Sequence, residues 1–144
     1  MREDADHQAI RAFFAEWGGY VAAADFASAR PLFDDDVIGF GTFMDTVVGL
    51  DNLERGQWRS IWPTIEDFRF NLDSLKCVVA PDRLMAMGAI TWRSTGIAEN
   101  GDRFDRPGRA TVVFTRADVN ARWRGAHTHF SLNPGTPQRS YGGA

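Results

Sequence analysis

The feature that most constrains the fold is a change in the spacing of apolar residues near Pro63. Before this point apolar residues recur every three or four positions, which is typical of helices that bury one face. After it they alternate with polar residues, as in Phe68, Phe70 and Leu72, which is the spacing of a strand with two different faces. Helices followed by strands predict an α+β domain with the helices gathered on one face of a sheet.

Three helices are predicted in the first part of the chain. The first has an apolar face from Ile10 to Ala24 and begins at Asp4 or Asp6, either of which can cap it. Gly18 and Gly19 interrupt it, so we expect the sheet to approach the helix closely there. A short second helix covers residues 26–33, and a third ends at Pro63.

Long strands are predicted in the rest of the chain. A switch in the alternation near Asp73 indicates a β-bulge, and Asn100-Gly101 is typical of a tight hairpin, so the sheet should be antiparallel and curved. An earlier strand, ending at Phe43, follows three consecutive aspartates that we interpret as a solvated turn rather than a metal site. The predicted strands are 37–43, 68–79, 84–97, 109–116 and 123–132.

Length and composition exclude several classes of protein. The chain has 144 residues, enough for one domain, which we place at 1–133 with a flexible tail at 134–144. The net charge of −3 and the scattered basic residues speak against nucleic-acid binding. No apolar run is long enough to cross a membrane. The single cysteine, Cys77, and the absence of a signal-like N-terminus predict a cytoplasmic protein.

The candidate catalytic residues lie on the last strands. His127 and His129 are two residues apart, so strand alternation places both on one face, and each can exchange a proton near neutral pH. Arg109 lies on the preceding strand and could hold a carboxylate or an enolate. The alternatives are structural: a histidine that orders the sheet through a hydrogen bond, and an arginine paired with a rim carboxylate. A third metal ligand is missing, so we expect no metal site.

Aromatic residues make up 12% of the chain, and large rings fill a core or line a pocket. Core packing is an alternative for each one taken singly. We expect five of them to contact a small hydrophobic ligand: Trp17, Tyr20, Phe40, Trp92 and Trp123.

Several motifs together resemble one known family. They are Leu32-Phe33-Asp34-Asp35-Asp36-Val37, Gly49-Leu50-Asp51, Arg109-x-Thr111-x-Val113-x-x-Arg116, and Trp123-x-x-x-His127-x-His129-x-Ser131. Over nearly the whole chain the pattern resembles the SnoaL-like branch of the nuclear transport factor 2-like superfamily, which includes ketosteroid isomerases and polyketide cyclases. The last motif is also similar to the association domain of calcium/calmodulin-dependent kinases. The resemblance implies a cone-like curved sheet wrapped around the long first helix, an internal pocket and a homodimer.

Two functions are compatible with this resemblance. The first is cofactor-free proton-transfer chemistry, of the isomerase, dehydratase or cyclase type, on a hydrophobic carbonyl compound, with His129 or His127 as acid and base and Arg109 as electrostatic stabiliser. The strand at 37–43 lacks the carboxylate that ketosteroid isomerases use as a base, so their mechanism is not expected. The second is a non-catalytic ligand-binding or association module. Neither hypothesis includes an organic cofactor.

Overall fold

A computed structural model describes residues 4–42 and 45–143. The first helix, α1, spans Ala5–Ala23 and is capped by Asp4, whose side chain accepts a hydrogen bond from the backbone N–H of His7. Helix α2 (Phe26–Ala29) is short, and a 3₁₀ turn, Arg30–Leu32, follows it. A continuous helical segment then comprises α3 (Leu50–Leu53), a π-helical turn (Glu54–Trp58), α4 (Arg59–Ile61) and a 3₁₀ turn (Trp62–Thr64). No helix in the described ranges is long and apolar enough to cross a membrane.

Within the described ranges seven strands form one curved sheet: β1 (Phe33–Phe40), β2 (Val47–Val48), β3 (Glu66–Val79), β4 (Met85–Ile97), β5 (Arg103–Asp105), β6 (Gly108–Thr115) and β7 (Arg124–Leu132). Their order is β2-β1-β7-β6-β4-β3, and β5 pairs with the end of β4. All neighbours are antiparallel except β1 and β7, which run parallel. The α+β class and the curved sheet agree with the sequence prediction. The predicted bulge also occurs, since the β3–β4 register shifts between Asn71 and Lys76.

The core lies between α1 and the concave face of the sheet. Phe13, Phe14 and Trp17 on α1 are at most 6% exposed and make edge-to-face contacts with sheet rings such as Phe114. Gly18 allows the helix to approach the sheet, because a Cβ there would come 3.2 Å from the ring of Phe70. The expected close approach is therefore confirmed at Gly18, whereas a Cβ at Gly19 would meet nothing within 4 Å.

The aspartate run was misinterpreted. Asp34, Asp35 and Asp36 lie within β1 and do not form a turn. Pairing with β7 begins as early as Phe33, and Arg124 of β7 forms an ion pair with Asp34. The next pair after Phe33 is Ile38 with His127, so the aspartates lie in an irregular stretch of β1 between two paired positions. The predicted end of this strand at Phe43 lies outside the described residues.

A β-bulge in β7 decides which side chains face the core. Val113 pairs with His127, but the next residue, Phe114, pairs with Gly125, so Ala126 is the extra residue. Alternation therefore breaks at this point. Trp123 and Gly125 face inward, as do Thr128 and Phe130, whereas His127 and His129 face outward.

Residues 134–143 follow the last strand and make contacts with the fold. Ser140 is buried; its hydroxyl donates to the carbonyl of Thr64 and accepts from the backbone N–H of Ile97. The N–H of Tyr141 donates to the carbonyl of Ile97. This segment is therefore held at the end of β4. The flexibility expected of 134–144 stays a prediction.

Candidate functional site

A pocket lies between α1, the helical segment at 50–64 and the concave face of the sheet. Its walls are mostly aromatic: Trp17, Trp58, Trp62, Phe68, Trp92 and Phe130. The enclosed cavity is about 20 Å³, room for about one water molecule. The empty volume of about 430 Å³ includes open solvent at the mouth, so the enclosed cavity itself is well below the usual range for small-ligand sites. A ligand of one ring can therefore enter only if side chains of the wall move apart.

Four polar side chains reach this pocket: Thr42, Gln57, Arg106 and Thr128. Among the described residues that line it, none is an aspartate, a glutamate or a histidine. The pocket therefore contains one cationic group and no anionic one.

Arg106 is held at its position by a pair of contacts to β4. Its backbone N–H donates to the carbonyl of Ser94, and its own carbonyl accepts from the Ser94 hydroxyl. Ser94 is itself buried and lies two residues from Trp92 on the same face of β4. These bonds position Arg106 directly after β5 and direct its side chain inward.

The Arg106 side chain is only 1% exposed and forms no ion pair with any described residue. One terminal nitrogen, Nη2, donates to the hydroxyl of Thr42 at 3.0 Å and to the backbone carbonyl of Gln138 at 3.2 Å. Both acceptors are neutral. Burial lowers the pKa of Arg106 to about 10 because the charged form loses its hydration. Burying a cation without an anionic partner is costly, and proteins rarely do so.

Several buried polar atoms around the pocket lack a hydrogen-bond partner in the described part of the chain. They are Nε of Arg106, Oε1 of Gln57, and the indole nitrogens of Trp17 and Trp92. Almost all buried polar groups in proteins are satisfied, so each exception needs an explanation. Here the exceptions share one cavity. Three are N–H donors and one is a carbonyl oxygen, a set that matches a ligand with an anionic group.

Gln57 enters the pocket from the π-helical turn. A π turn contains one residue more than an α turn and so changes which side chains face inward. Gln57 is 7% exposed, and its amide packs on the backbone just after β1, where a Cβ at position 41 would come 2.9 Å from its Cδ. Gly41 therefore provides the space that the amide occupies.

The predicted catalytic residues lie on the convex face of the sheet, away from this pocket. His127 is half-buried, and its Nδ1 is 2.8 Å from the carbonyl oxygen of Ile38. His129 is exposed, and the ring of Phe40 contacts both histidines. Arg109 is exposed too and donates from Nε to the hydroxyl of Ser131. These three residues therefore lie together on the outer face of the sheet, and none of them lines the pocket. Their catalytic role stays a prediction.

The five predicted ligand contacts are divided between locations. Trp17 and Trp92 line the pocket. Tyr20 does not; its hydroxyl donates to Glu16, and this hydrogen bond raises the pKa of Tyr20. Trp123 is buried elsewhere, beneath the guanidinium of Arg116. Phe40 is on the convex face with the histidines. Whether any of them binds a ligand stays a prediction.

Sequence reasoning missed Arg106 and Gln57, although one signal was available for Arg106. The Asn100-Gly101 hairpin pairs β5 with the end of β4, and residues opposite each other in antiparallel strands share a face. Extending that pairing places Arg106 beside Ser94, on the side of Trp92. Nothing in the sequence marks the π turn that directs Gln57 inward.

Comparison with protein families gives one match over most of the chain. Residues 10–134 match the family model described as SnoaL-like domain. No curated protein matches the chain by sequence.

Solved structures show the same fold at low sequence identity. A ketosteroid isomerase-like protein from Erwinia carotovora atroseptica has a TM-score of 0.75 and 17% identity, covering 90% of this chain and 98% of that one. A nuclear transport factor 2-like superfamily protein from Salmonella enterica has a TM-score of 0.74 and 19% identity, and the match covers 92% of this chain and 94% of that one. The association domain of C. elegans CaMKII has a TM-score of 0.66 and 15% identity, and the match covers 88% of this chain and 95% of that one.

Proposed function

Because the chain belongs to the SnoaL-like domain family, whose fold does not fix a function, we propose a function from its pocket. The protein is a small-molecule-binding module. Its ligand is an apolar molecule of about one ring that has a single anionic group, such as a carboxylate. Arg106 binds that group, and the aromatic walls contact the ring.

One observation supports this proposal above all others: Arg106 is buried, charged and without a carboxylate partner among the described residues. A ligand anion would supply the missing charge and accept a hydrogen bond from Nε. It would do so in a water-poor cavity, where such an interaction is stronger than at the surface. The neighbouring indole N–H groups of Trp17 and Trp92 are further donors for the same ligand.

Proton-transfer catalysis by the histidines is the weaker hypothesis. The side chains that line the pocket in the described ranges include no carboxylate and no imidazole to act as a general base. His127 and His129 lie on the other face of the sheet. Their catalytic role, with Arg109 as stabiliser, stays a prediction for that outer surface. Turnover of a carbonyl compound that disappears in His129→Ala would support it.

The test is a binding titration with matched acids and amides. Benzoate, phenylacetate and 3-phenylpropanoate are compared with the corresponding primary amides by isothermal titration calorimetry. Tryptophan fluorescence gives a second signal, because four of the five tryptophans line the pocket. At least one acid should bind, and its amide should bind at least about thirtyfold more weakly, since losing one partner of a buried charge pair costs about 2 kcal/mol or more.

Two arginine variants locate the site. Arg106→Gln should abolish the preference for the acid, whereas Arg109→Gln, the same change on the convex face, should leave it intact. If no acid binds, or if Arg109→Gln removes binding and Arg106→Gln does not, the proposal is wrong.

We also propose that the protein is a homodimer that uses the convex face. Ile38 and Met85 on this side of the sheet are 42% and 52% exposed, and burying such apolar side chains in a dimer interface would be favourable. Light scattering after gel filtration should give twice the mass of 16.1 kDa. His129→Glu should shift the mass towards that of a monomer. A monomeric wild-type protein would refute this part.

A further inference from the structure

Gln57 is another pocket residue with an atom that lacks a hydrogen-bond partner in the described part of the chain, and it differs chemically from Arg106. The unsatisfied atom of Gln57 is a carbonyl oxygen, which accepts a hydrogen bond but cannot bind an anion. A ligand that places only a carboxylate and a ring in this cavity therefore leaves Gln57 unsatisfied. The remaining group on the ligand has to be a hydrogen-bond donor.

We propose that the ligand is a hydroxylated aromatic or alicyclic acid, and that Gln57 is the residue that selects for its hydroxyl group. This inference rests on the proposed function. It adds a specificity element to the anion site at Arg106.

The surroundings of Gln57 hold its amide in place. The residue is 7% exposed, so its side chain cannot turn to solvent for a partner. The π-helical turn fixes the direction of the side chain, and the backbone at Gly41 lies against its amide. A Cβ at Gly39 would be 3.4 Å from Oε1, so β1 contacts this end of the amide as well. A group held in this way is already positioned for a ligand and loses little conformational freedom on binding.

The consequence for specificity follows from the cost of an unsatisfied buried acceptor. A ligand without a hydroxyl leaves Oε1 without a partner in a closed site, whereas a hydroxylated ligand donates to it. Sites that hydrogen-bond a ligand hydroxyl reject the analogue that lacks it, because their buried polar groups then stay unpaired. We expect a difference of about tenfold in affinity, which corresponds to about 1.4 kcal/mol.

The test measures each ring acid with and without a hydroxyl on wild-type protein and on Gln57→Met. The probes are benzoate and phenylacetate and the three monohydroxy isomers of each. In wild-type protein at least one isomer should bind about tenfold more tightly than its parent acid. In Gln57→Met, parent and hydroxy acid should bind equally, because methionine fills a similar volume without an acceptor. Gln8→Met, the same change at an exposed position of α1, should behave as wild type.

The outcomes separate this inference from the proposed function. Tight binding of the parent acids with no gain from any hydroxyl overturns the role of Gln57 and leaves the anion site intact. A gain that persists in Gln57→Met overturns it too. If no acid binds, the proposed function fails and this inference with it. If thermal unfolding shows that Gln57→Met does not fold, Gln57→Asn replaces it. Asparagine keeps an amide but has one methylene fewer, so this variant should also bind the hydroxy acid no more tightly than the parent acid.

Discussion

Arg106→Met should make the ligand-free protein more stable, although it removes a fully buried side chain. Burial lowers the pKa of Arg106 from its usual value to about 10, and each pKa unit corresponds to about 1.36 kcal/mol. Holding the charge in the pocket therefore costs about 3 kcal/mol, and this cost is present at all pH values below about 10. Methionine removes the charge and still fills the space of the arginine stem.

The loss of two hydrogen bonds works in the opposite direction. Thr42 and the carbonyl of Gln138 each lose a donor, at about 1 kcal/mol apiece. The guanidinium also lies 5.8 Å from the ring centre of Trp92, and losing this contact costs about 0.5 kcal/mol. The net gain in the free energy of unfolding is about 1 kcal/mol, and for a domain of this size it corresponds to a rise in Tm of about 3 °C. Urea unfolding and differential scanning calorimetry at pH 7 measure both quantities.

Arg116→Met is the matched control, because Arg116 is a second buried arginine with a different environment. Its side chain is 5% exposed, forms an ion pair with Asp6 at 3.0 Å and lies 3.9 Å from the ring centre of Trp123. Removing one partner of a buried pair costs about 3–5 kcal/mol. Substitution by methionine should thus raise the free energy of unfolding at position 106 and lower it at position 116. If Arg106→Met destabilises the protein as much as Arg116→Met does, Arg106 is a structural residue and the account of the pocket is wrong.

Three further predictions concern the fold around the site. Arg83 donates hydrogen bonds to Asp6, and this lowers the pKa of that carboxyl from 3.8. The Asp6 carboxylate therefore contributes its full stabilisation at pH values above 3.8, and this stabilisation declines as the pH falls below 3.8. Denaturant unfolding at pH 7 should give a free energy of unfolding about 3 kcal/mol lower for Asp6→Asn than for wild type. At pH 3 this difference should be smaller; an equal difference at both pH values would contradict the ion pairing of Asp6. Gly108→Ala should lose at least about 3 kcal/mol in urea unfolding, because the new Cβ would meet the ring of Trp92 at 2.4 Å; wild-type stability would show that this contact relaxes. Ser140→Ala should lose about 1–3 kcal/mol in the same assay, since its hydroxyl bonds two backbone groups; an unchanged midpoint would mean that the segment after β7 is not held as described.

The periodic parts of the fold could be predicted from the sequence because periodicity reports burial directly. The apolar face of α1, its cap at Asp4, the close approach at Gly18 and the bulge in β3 all follow from local patterns. The parallel pairing of β1 with β7 joins segments about ninety residues apart in the chain, and no local pattern encodes it. The aspartate run lies between two positions of that pairing.

The site was harder to predict because single irregular residues control it. The extra residue Ala126 reverses the alternation in β7, so His127 and His129 face outward while Trp123 faces inward. A π turn directs Gln57 into the pocket, and a hairpin pairing places Arg106 there. Trp17 and Trp92 line the pocket, and each lies on a regular element whose buried face is clear from the sequence; their contact with a ligand stays a prediction.

A crystal structure with a bound ring acid tests the central claim most directly. Crystals soaked with the acid that binds best in the titration should show its carboxylate at about 2.7–2.9 Å from Nε of Arg106, the distance of a charge-assisted hydrogen bond. Its ring should lie between Trp17 and Trp92. An acid found on the convex face, against Arg109, His127 or His129, with the pocket unchanged, would contradict the account.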